Sequence, residues 1–281
     1  MLKNLIDEPA TGFVCPLCQA PFTLSKNTIS CCNGHSYNIT KPGTINFITK
    51  KMNTHSEEFY ATEVKFHQLP PWQTLIETIK AELSISDRIC LTGSSLGSFL
   101  QAGDIGFEAA SYSVIRQLRS DPTKNLFIAQ AAQLPLADEA MNLVLRLDQQ
   151  KAMTEGLRIL KPDHFMVLIL PGPKHLLEVR QHLFGGRRLG LRENQSLLKE
   201  IWAMGQKAVV TQNRFTLSYL PAKTDLAIIS QSLDPTLEAG QLDKIYETVS
   251  SVTFDFLVYY LKKSSIALDL VEMPDNSCER T

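Results

Sequence analysis

Cys15-Pro-Leu-Cys18 is followed by Cys31-Cys32-Asn-Gly-His35, so that two tight groups of soft ligands stand at the separation a zinc knuckle needs. Each group sits on a short turn, and the stretch from Phe22 to Ile29 can form the hairpin that returns the chain to close a tetrahedral site. Five candidate ligands compete for four places, because the adjacent Cys31 and Cys32 cannot both point inward from an extended turn. On spacing alone either could serve. A bound ion would act as the core of a segment too short to bury much apolar surface, since structural zinc supplies about 10 to 16 kcal/mol to such peptides. The competing readings, unrelated reduced thiols or a disulfide framework, account poorly for four ligand types so regularly placed.

The next residues with chemical potential are Thr92-Gly93-Ser94-Ser95-Leu96-Gly97, at the end of a short apolar run, where a nucleotide-binding fold puts its glycine-rich turn. Glu108 closes the following apolar run and is placed to accept hydrogen bonds from ribose hydroxyls. The interval from Gly93 to Glu108 is short for such a unit, and a tight loop in an ordinary α/β domain explains it equally well.

These residues need a scaffold, and the apolar pattern predicts one. Runs at 88–92, 104–108, 125–129, 142–147 and 165–170 read as strands, separated by helical stretches such as 111–119, 149–160 and 174–184. Five alternations of strand and helix predict a parallel sheet covered by helices on both faces, with its ligand site beyond the carboxyl ends of the strands. Stretches 209–220 and 252–261 predict a closing antiparallel pair at the sheet edge. Ahead of the sheet, Trp72, Leu75, Ile76, Ile79 and Leu83 form one face of a helix opened by Pro70-Pro71. The divisions that follow are a zinc-binding module over 1–50, a linker and helical segment over 51–84, and a Rossmann-like domain over 85–281.

Composition narrows the setting. The chain has 281 residues, 44% of them hydrophobic, which suffices for a conventional core. No stretch approaches the roughly 20 apolar residues of a membrane span, and acids occupy the first ten residues where a signal peptide would be basic then apolar. A cytoplasmic protein is expected, and Cys90 and Cys278, far apart in sequence, suit a reducing compartment. The net charge of −1 hides a basic segment: 174–214 holds eight Lys or Arg against three Glu. Lys174, Arg180, Arg187, Arg188, Arg192, Lys199, Lys207 and Arg214 could follow a phosphate backbone or simply line a solvated helix face.

Taken together, the chain resembles the bacterial 23S ribosomal RNA guanine-N1 methyltransferases of the RlmA type. The residues that carry the resemblance are Cys15-Pro-Leu-Cys18 with Cys31 and His35, the run Lys41-x-Gly43-x-Ile45-Asn46, Leu134-Pro135-Leu136 before Asp138, and Leu160-Lys161-Pro162 leading to Pro171-Gly172-Pro173-Lys174-His175-Leu176. The resemblance implies a zinc module joined to a class I, S-adenosylmethionine-dependent Rossmann-like methyltransferase domain. It selects Cys31 over Cys32 as the third thiolate, places cofactor contacts at Trp72, Ser95, Leu96 and His175, and implies a homodimer acting on ribosomal RNA.

The chain also departs from that family. Where the family loop reads Asp-x-Gly-x-Gly-x-Gly, Leu91 replaces the acid and Ser95 the middle glycine. After the fourth strand, Arg146-Leu147-Asp148-Gln149-Gln150 stands where the family has an aromatic residue followed by Ala-Pro. Methyl transfer to guanine N1 requires that nitrogen to lose its proton, and Asp148 is the acid of that loop, either accepting the proton or capping the next helix. His164 and His182 show no partner spacing and read as structural. The alternative to an enzyme is a non-catalytic relative that keeps the zinc module and the fold to bind RNA or a protein.

Overall fold

The computed structural model describes residues 12–49, 56–83, 89–93, 99–101, 103–146, 153–185, 199 and 208–264. Strands β1 (Phe22–Ser25), β2 (Thr28–Cys31) and β3 (Ser36–Asn38) form a small antiparallel sheet. The remaining strands are β4 (Ile89–Thr92), β5 (Ile105–Glu108), β6 (Leu126–Ile128), β7 (Met141–Arg146), β8 (Leu160–Pro171), β9 (Ala208–Tyr219) and β10 (Val252–Lys263). They form one sheet in the order β6-β5-β4-β7-β8-β10-β9. Strands β4 to β8 run parallel, and β10 is antiparallel to both β8 and β9. The antiparallel edge pair lies where the aromatic-rich tail of the sequence places it.

Side-chain alternation along each strand divides the interior into two cores, because successive residues face opposite sides of the sheet. Ile89, Leu91, Leu143, Leu145, Val167 and Ile169 face one core. Cys90, Val144, Met166, Leu168 and Leu170 face the other. The first core is covered by helices α1 (Glu57–His67), α2 (Pro70–Glu82), α3 (Ser111–Ser120), α5 (Leu177–Phe184), α6 (Lys223–Leu233) and α7 (Ala239–Thr248).

Across the sheet, among the described residues, α4 (Met153–Ile159) shares the cover with the amino-terminal module. Phe13, Ile29, Tyr37, Ile45 and Phe47 pack there with Phe107 and Phe127, and Phe13 meets Phe127 edge-on at 5.1 Å. Helix α4 meets the expectation of helices on both faces, but the module's share in this cover is not part of that expectation. The cause is that the module has too little apolar surface for a closed core of its own and shares that of the sheet.

Backbone pairing fixes the join. Phe47 N–H donates to Ile128 C=O at 2.8 Å and Ile128 N–H donates to Ile45 C=O at 3.0 Å, so residues 45–47 extend the parallel sheet beyond β6. The Thr44 hydroxyl donates to Leu126 C=O at 2.7 Å. Leu134-Pro135-Leu136 bridges to the chain before the first zinc turn: Val14 N–H donates to Pro135 C=O at 3.1 Å and Ala137 N–H to Gly12 C=O at 2.7 Å. Gly12 has φ +65°, and a Cβ there would stand 2.6 Å from the Ala140 Cβ, so both conformation and space call for glycine.

The helix opening at Pro70 forms as its apolar spacing predicts, and α1 precedes it unannounced by that spacing. Its start is nevertheless marked by Ser56, whose hydroxyl accepts the Phe59 N–H at 3.2 Å, and by Glu57 and Glu58 in the first turn.

Candidate metal centre and cofactor site

Cys15, Cys18, Cys31 and His35 converge, with their ligand atoms all within 4.8 Å of one another. Cys18 Sγ lies 3.6 Å from Cys31 Sγ, and His35 Nδ1 lies 3.5 Å from both Cys15 Sγ and Cys31 Sγ. An ion at ordinary zinc–sulfur and zinc–nitrogen distances would separate tetrahedral ligands by about 3.8 Å for two sulfurs and about 3.6 Å for sulfur and nitrogen, so the donor set fits zinc. Cys32 is exposed, its Sγ 3.9 Å from the side-chain oxygen of Asn33, and lies outside the cluster.

Local backbone explains the convergence. In the first turn Gln19 N–H returns to Cys15 C=O at 2.8 Å, with Gln19 at φ +59°; in the second, Gly34 N–H returns to Cys31 C=O at 3.0 Å, with Gly34 at φ +81°. Backbone N–H donation from Ala20 helps bring the Cys18 thiol down to about 6, favouring the thiolate a metal needs. Burial holds the Cys15 thiol above its ordinary value. Burial likewise raises Tyr37, whose protonated hydroxyl lies 3.7 Å from Cys15 Sγ and can donate to it as an outer partner of the ligand.

The cofactor candidates are spread over four elements. Trp72 on α2 and His175, four residues past the end of β8, come together with ring centroids 6.4 Å apart. Both are buried, and Phe256 packs against each, at 4.6 Å from Trp72 and 4.9 Å from His175. Gly93 follows β4 at φ +120°, a conformation open to glycine and poorly to anything with a Cβ. Glu108 is buried at the carboxyl end of β5. Ser95, Leu96, Gly97 and Asp148 lie outside the described residues, as do Arg187, Arg188, Arg192 and Lys207.

Among the described residues, the buried polar atoms left without a hydrogen-bond partner include Trp72 Nε1–H and the hydroxyl of Thr92 at the carboxyl end of β4. Both flank the region where a doubly wound sheet takes its ligand. Such orphaned groups, with a positive-φ glycine next in the loop, fit a polar cofactor.

The aromatic cluster contains a residue that sequence spacing misses. His67, at the end of α1, packs on Trp72 at 4.6 Å, and its Nδ1 donates to the Glu63 carbonyl at 2.8 Å. Burial keeps both His67 and His175 neutral, each brought down to about 4, and raises the Glu63 carboxyl to about 7. Asp255, fully buried on β10, is the second such residue. It is bound by Arg214 through two hydrogen bonds of 2.7 and 2.8 Å. Its sequence signal is a charge between Phe254 and Phe256, a position that requires a partner. Of the remaining histidines, His164 Nδ1 bonds the Pro162 carbonyl at 2.8 Å and His182 Nε2 meets the Thr248 hydroxyl at 3.0 Å.

Two family departures have visible structural counterparts. Leu91 is a core residue of the helix-covered face, and the side chain of Arg146, the last described residue of β7, is fully buried and runs past Gly156 of α4.

Residues 13–51 match a family profile described as RlmA, N-terminal, a zinc ribbon. Over 269 residues the chain is 25% identical to the 23S rRNA (guanine(748)-N(1))-methyltransferase of Streptomyces fradiae, covering 85% of this chain and 94% of that protein. Among solved structures it is similar to a SAM-dependent methyltransferase from Archaeoglobus fulgidus, at 14% identity and a TM-score of 0.44, covering 73% of this chain and 99% of that one. No helix among the described residues is long and apolar enough to cross a membrane.

Proposed function

We propose that this chain, a relative of the RlmA-type 23S rRNA (guanine-N1)-methyltransferases, transfers a methyl group from S-adenosylmethionine to N1 of a guanine in 23S ribosomal RNA. Its zinc, held by Cys15, Cys18, Cys31 and His35, is structural: four protein ligands leave no open coordination position for a reactant. The setting is the cytoplasm and the working form a homodimer.

The observation that carries the reading is the meeting of Trp72 and His175, two residues remote in sequence, in one buried cluster beside an unsatisfied indole N–H. Trp72 supplies a flat apolar wall and an N–H donor. His175, neutral, adds a second donor. Glu108, at the end of β5, accepts hydrogen bonds from ribose hydroxyls, and Gly93 lets the backbone approach the ligand. S-adenosylmethionine, when bound, supplies a methyl group on a sulfonium. Asp148, two residues beyond β7 in the sequence, accepts or positions the N1 proton of the target base.

A second reading has its own support in Leu91 and Arg146. An apolar core residue stands where the family has an acid, and a buried guanidinium precedes the loop that should receive the base. On that reading the protein binds RNA or a protein partner without catalysis. Calorimetric titration of the zinc-loaded full chain with S-adenosylmethionine, followed by methyl-transfer assays on 23S RNA, separates the two. Micromolar binding with methylation at guanine N1 supports the enzyme, and no detectable binding by a folded, zinc-replete sample eliminates it.

A further inference from the structure

Past the end of β8 the chain continues alongside β10 almost as a strand would. Gly172 N–H donates to Asp255 C=O at 2.8 Å, and Leu176 N–H donates to Thr253 C=O at 2.7 Å. Between these two rungs the Asp255 N–H turns to a side chain, His175 Nδ1, at 3.3 Å. The imidazole thus takes the place of a backbone carbonyl in the ladder. The His175 carbonyl is held in turn by Arg180 Nη1 at 3.0 Å.

The Asp255 carboxylate secures the same loop from its other side. One oxygen accepts Lys174 N–H at 2.8 Å, both receive Arg214, and Thr216, directly across the β9–β10 pair, donates at 3.3 Å. Gly172 lies against the carboxylate so closely that a Cβ would stand 2.5 Å from Oδ2. Burial would push this carboxyl up, but Arg214, Lys174 N–H and Thr216 outweigh it and hold it below its ordinary value, so it is an anion in the fold.

We propose that Asp255 is a positioning residue for His175. Its carboxylate pins the Gly172–Lys174 loop, and its own N–H occupies His175 Nδ1, which places the single imidazole proton on Nε2 and offers the cofactor a fixed N–H donor. The partner is an acceptor atom of the nucleoside or amino-acid portion of S-adenosylmethionine, and this rests on the cofactor reading above. Arg214 acts through Asp255. An ion pair that served stability alone could be replaced as a pair by well-packed apolar residues at little cost, whereas one that orients a ligand contact could not.

The test uses the full-length, zinc-loaded chain with ¹⁵N-labelled histidine. In the wild type His175 should give the Nε2–H tautomer alone at pH 7. Asp255→Asn, similar in volume, and Arg214→Gln, whose side chain is partly exposed, should each produce mixed tautomers at His175. Each should also weaken S-adenosylmethionine binding about tenfold, a loss of about 1.4 kcal/mol. In a His175→Phe background the same substitutions should change affinity by less than about twofold, since the group they act through is gone.

A single unchanged tautomer in both variants, or an equal affinity loss with and without His175, overturns the proposal. If the wild type binds no S-adenosylmethionine, the cofactor reading fails by itself and the tautomer measurement still decides the role of Asp255. Should Asp255→Asn fail to fold, Arg214→Gln carries the comparison.

Discussion

Arg158 and Glu155, one helical turn apart on α4, are joined by two parallel hydrogen bonds, Nε to Oε2 at 2.8 Å and Nη2 to Oε1 at 2.7 Å. The pair is a junction between parts of the chain far apart in sequence. Glu155 Oε1 also accepts Leu134 N–H at 2.7 Å, and Arg158 Nη1 donates to Leu136 C=O at 2.7 Å and to Asp138 at 2.8 Å. Between them the two side chains hold the Leu134–Leu136 strap, which in turn bonds the backbone leading into the first zinc turn.

Replacing either partner should therefore loosen the zinc ribbon as well as α4. Both side chains are mostly buried, so Arg158→Ala should cost about 2 to 3 kcal/mol, between the worth of a surface pair and that of a fully buried one. Urea denaturation of the full chain measures it. Hydrogen exchange should show faster opening at Val14 and Ala137, whose N–H groups bond across the strap. A loss confined to α4 would refute the linkage.

Metal removal should reach the large sheet. Cys15 and Cys31 are buried in the same core as Phe107 and Phe127, so a ribbon without its ion would expose one face of β5 and β6. Chelation, Cys18→Ser or Cys31→Ser should each lower the melting temperature of the whole chain and increase binding of a hydrophobic dye. Cys32→Ser should keep one zinc per chain and the wild-type melt, because Cys32 is exposed and apart from the ligand cluster. Metal analysis beside the thermal scan checks both halves.

The ribbon and the alternation of strand and helix could be read from the chain because both depend on local spacing. Ligands three and four residues apart define the two turns, and apolar runs a few residues long define strands. What stayed hidden depends on contacts between distant segments. Nothing near Gly172 announces that Asp255 fills the space beside it, and nothing near Phe13 says that it packs against Phe127. The strand β8 starts at Leu160, earlier than its apolar run, because Lys161-Pro162-Asp163 is irregular, with Asp163 at φ +62° and a register shift opposite Met141–Leu143. His67 escaped notice since its significance lies in the indole it packs on, across the Pro70-Pro71 break.

Packing at Phe127 offers a direct measure of the shared core. The ring is fully buried and meets Phe13, Phe47 and Phe107. Phe127→Ala should destabilise the chain by about 3 to 5 kcal/mol. Phe127→Leu, which leaves a smaller cavity, should cost less, and both should be detected by urea denaturation followed through zinc release. If the ribbon kept its zinc until well after the sheet unfolded, the two would not share a cooperative core.

The buried cluster around Trp72 predicts how stability responds to acid. His67 and His175 have folded values near 4, below the ordinary 6.5, so each binds its proton more readily when unfolded. The stability each contributes is complete above about pH 6.5 and is lost as pH falls towards 4, with a slope of about 1.4 kcal/mol per pH unit per histidine. Glu63 opposes them: raised to about 7 from 4.5, it binds its proton more readily when folded, and its contribution is complete below pH 4.5 and lost as pH rises through 7. Between about pH 4.5 and 6.5 one carboxyl cancels one histidine, leaving the slope of a single proton. Glu63→Gln should steepen the decline to that of two protons, and His175→Phe should nearly flatten it. Denaturation midpoints across this range, each variant compared with the wild type so that protonation of the zinc ligands cancels, decide the matter, and an unaltered slope in Glu63→Gln would show that Glu63 does not titrate within the fold as described.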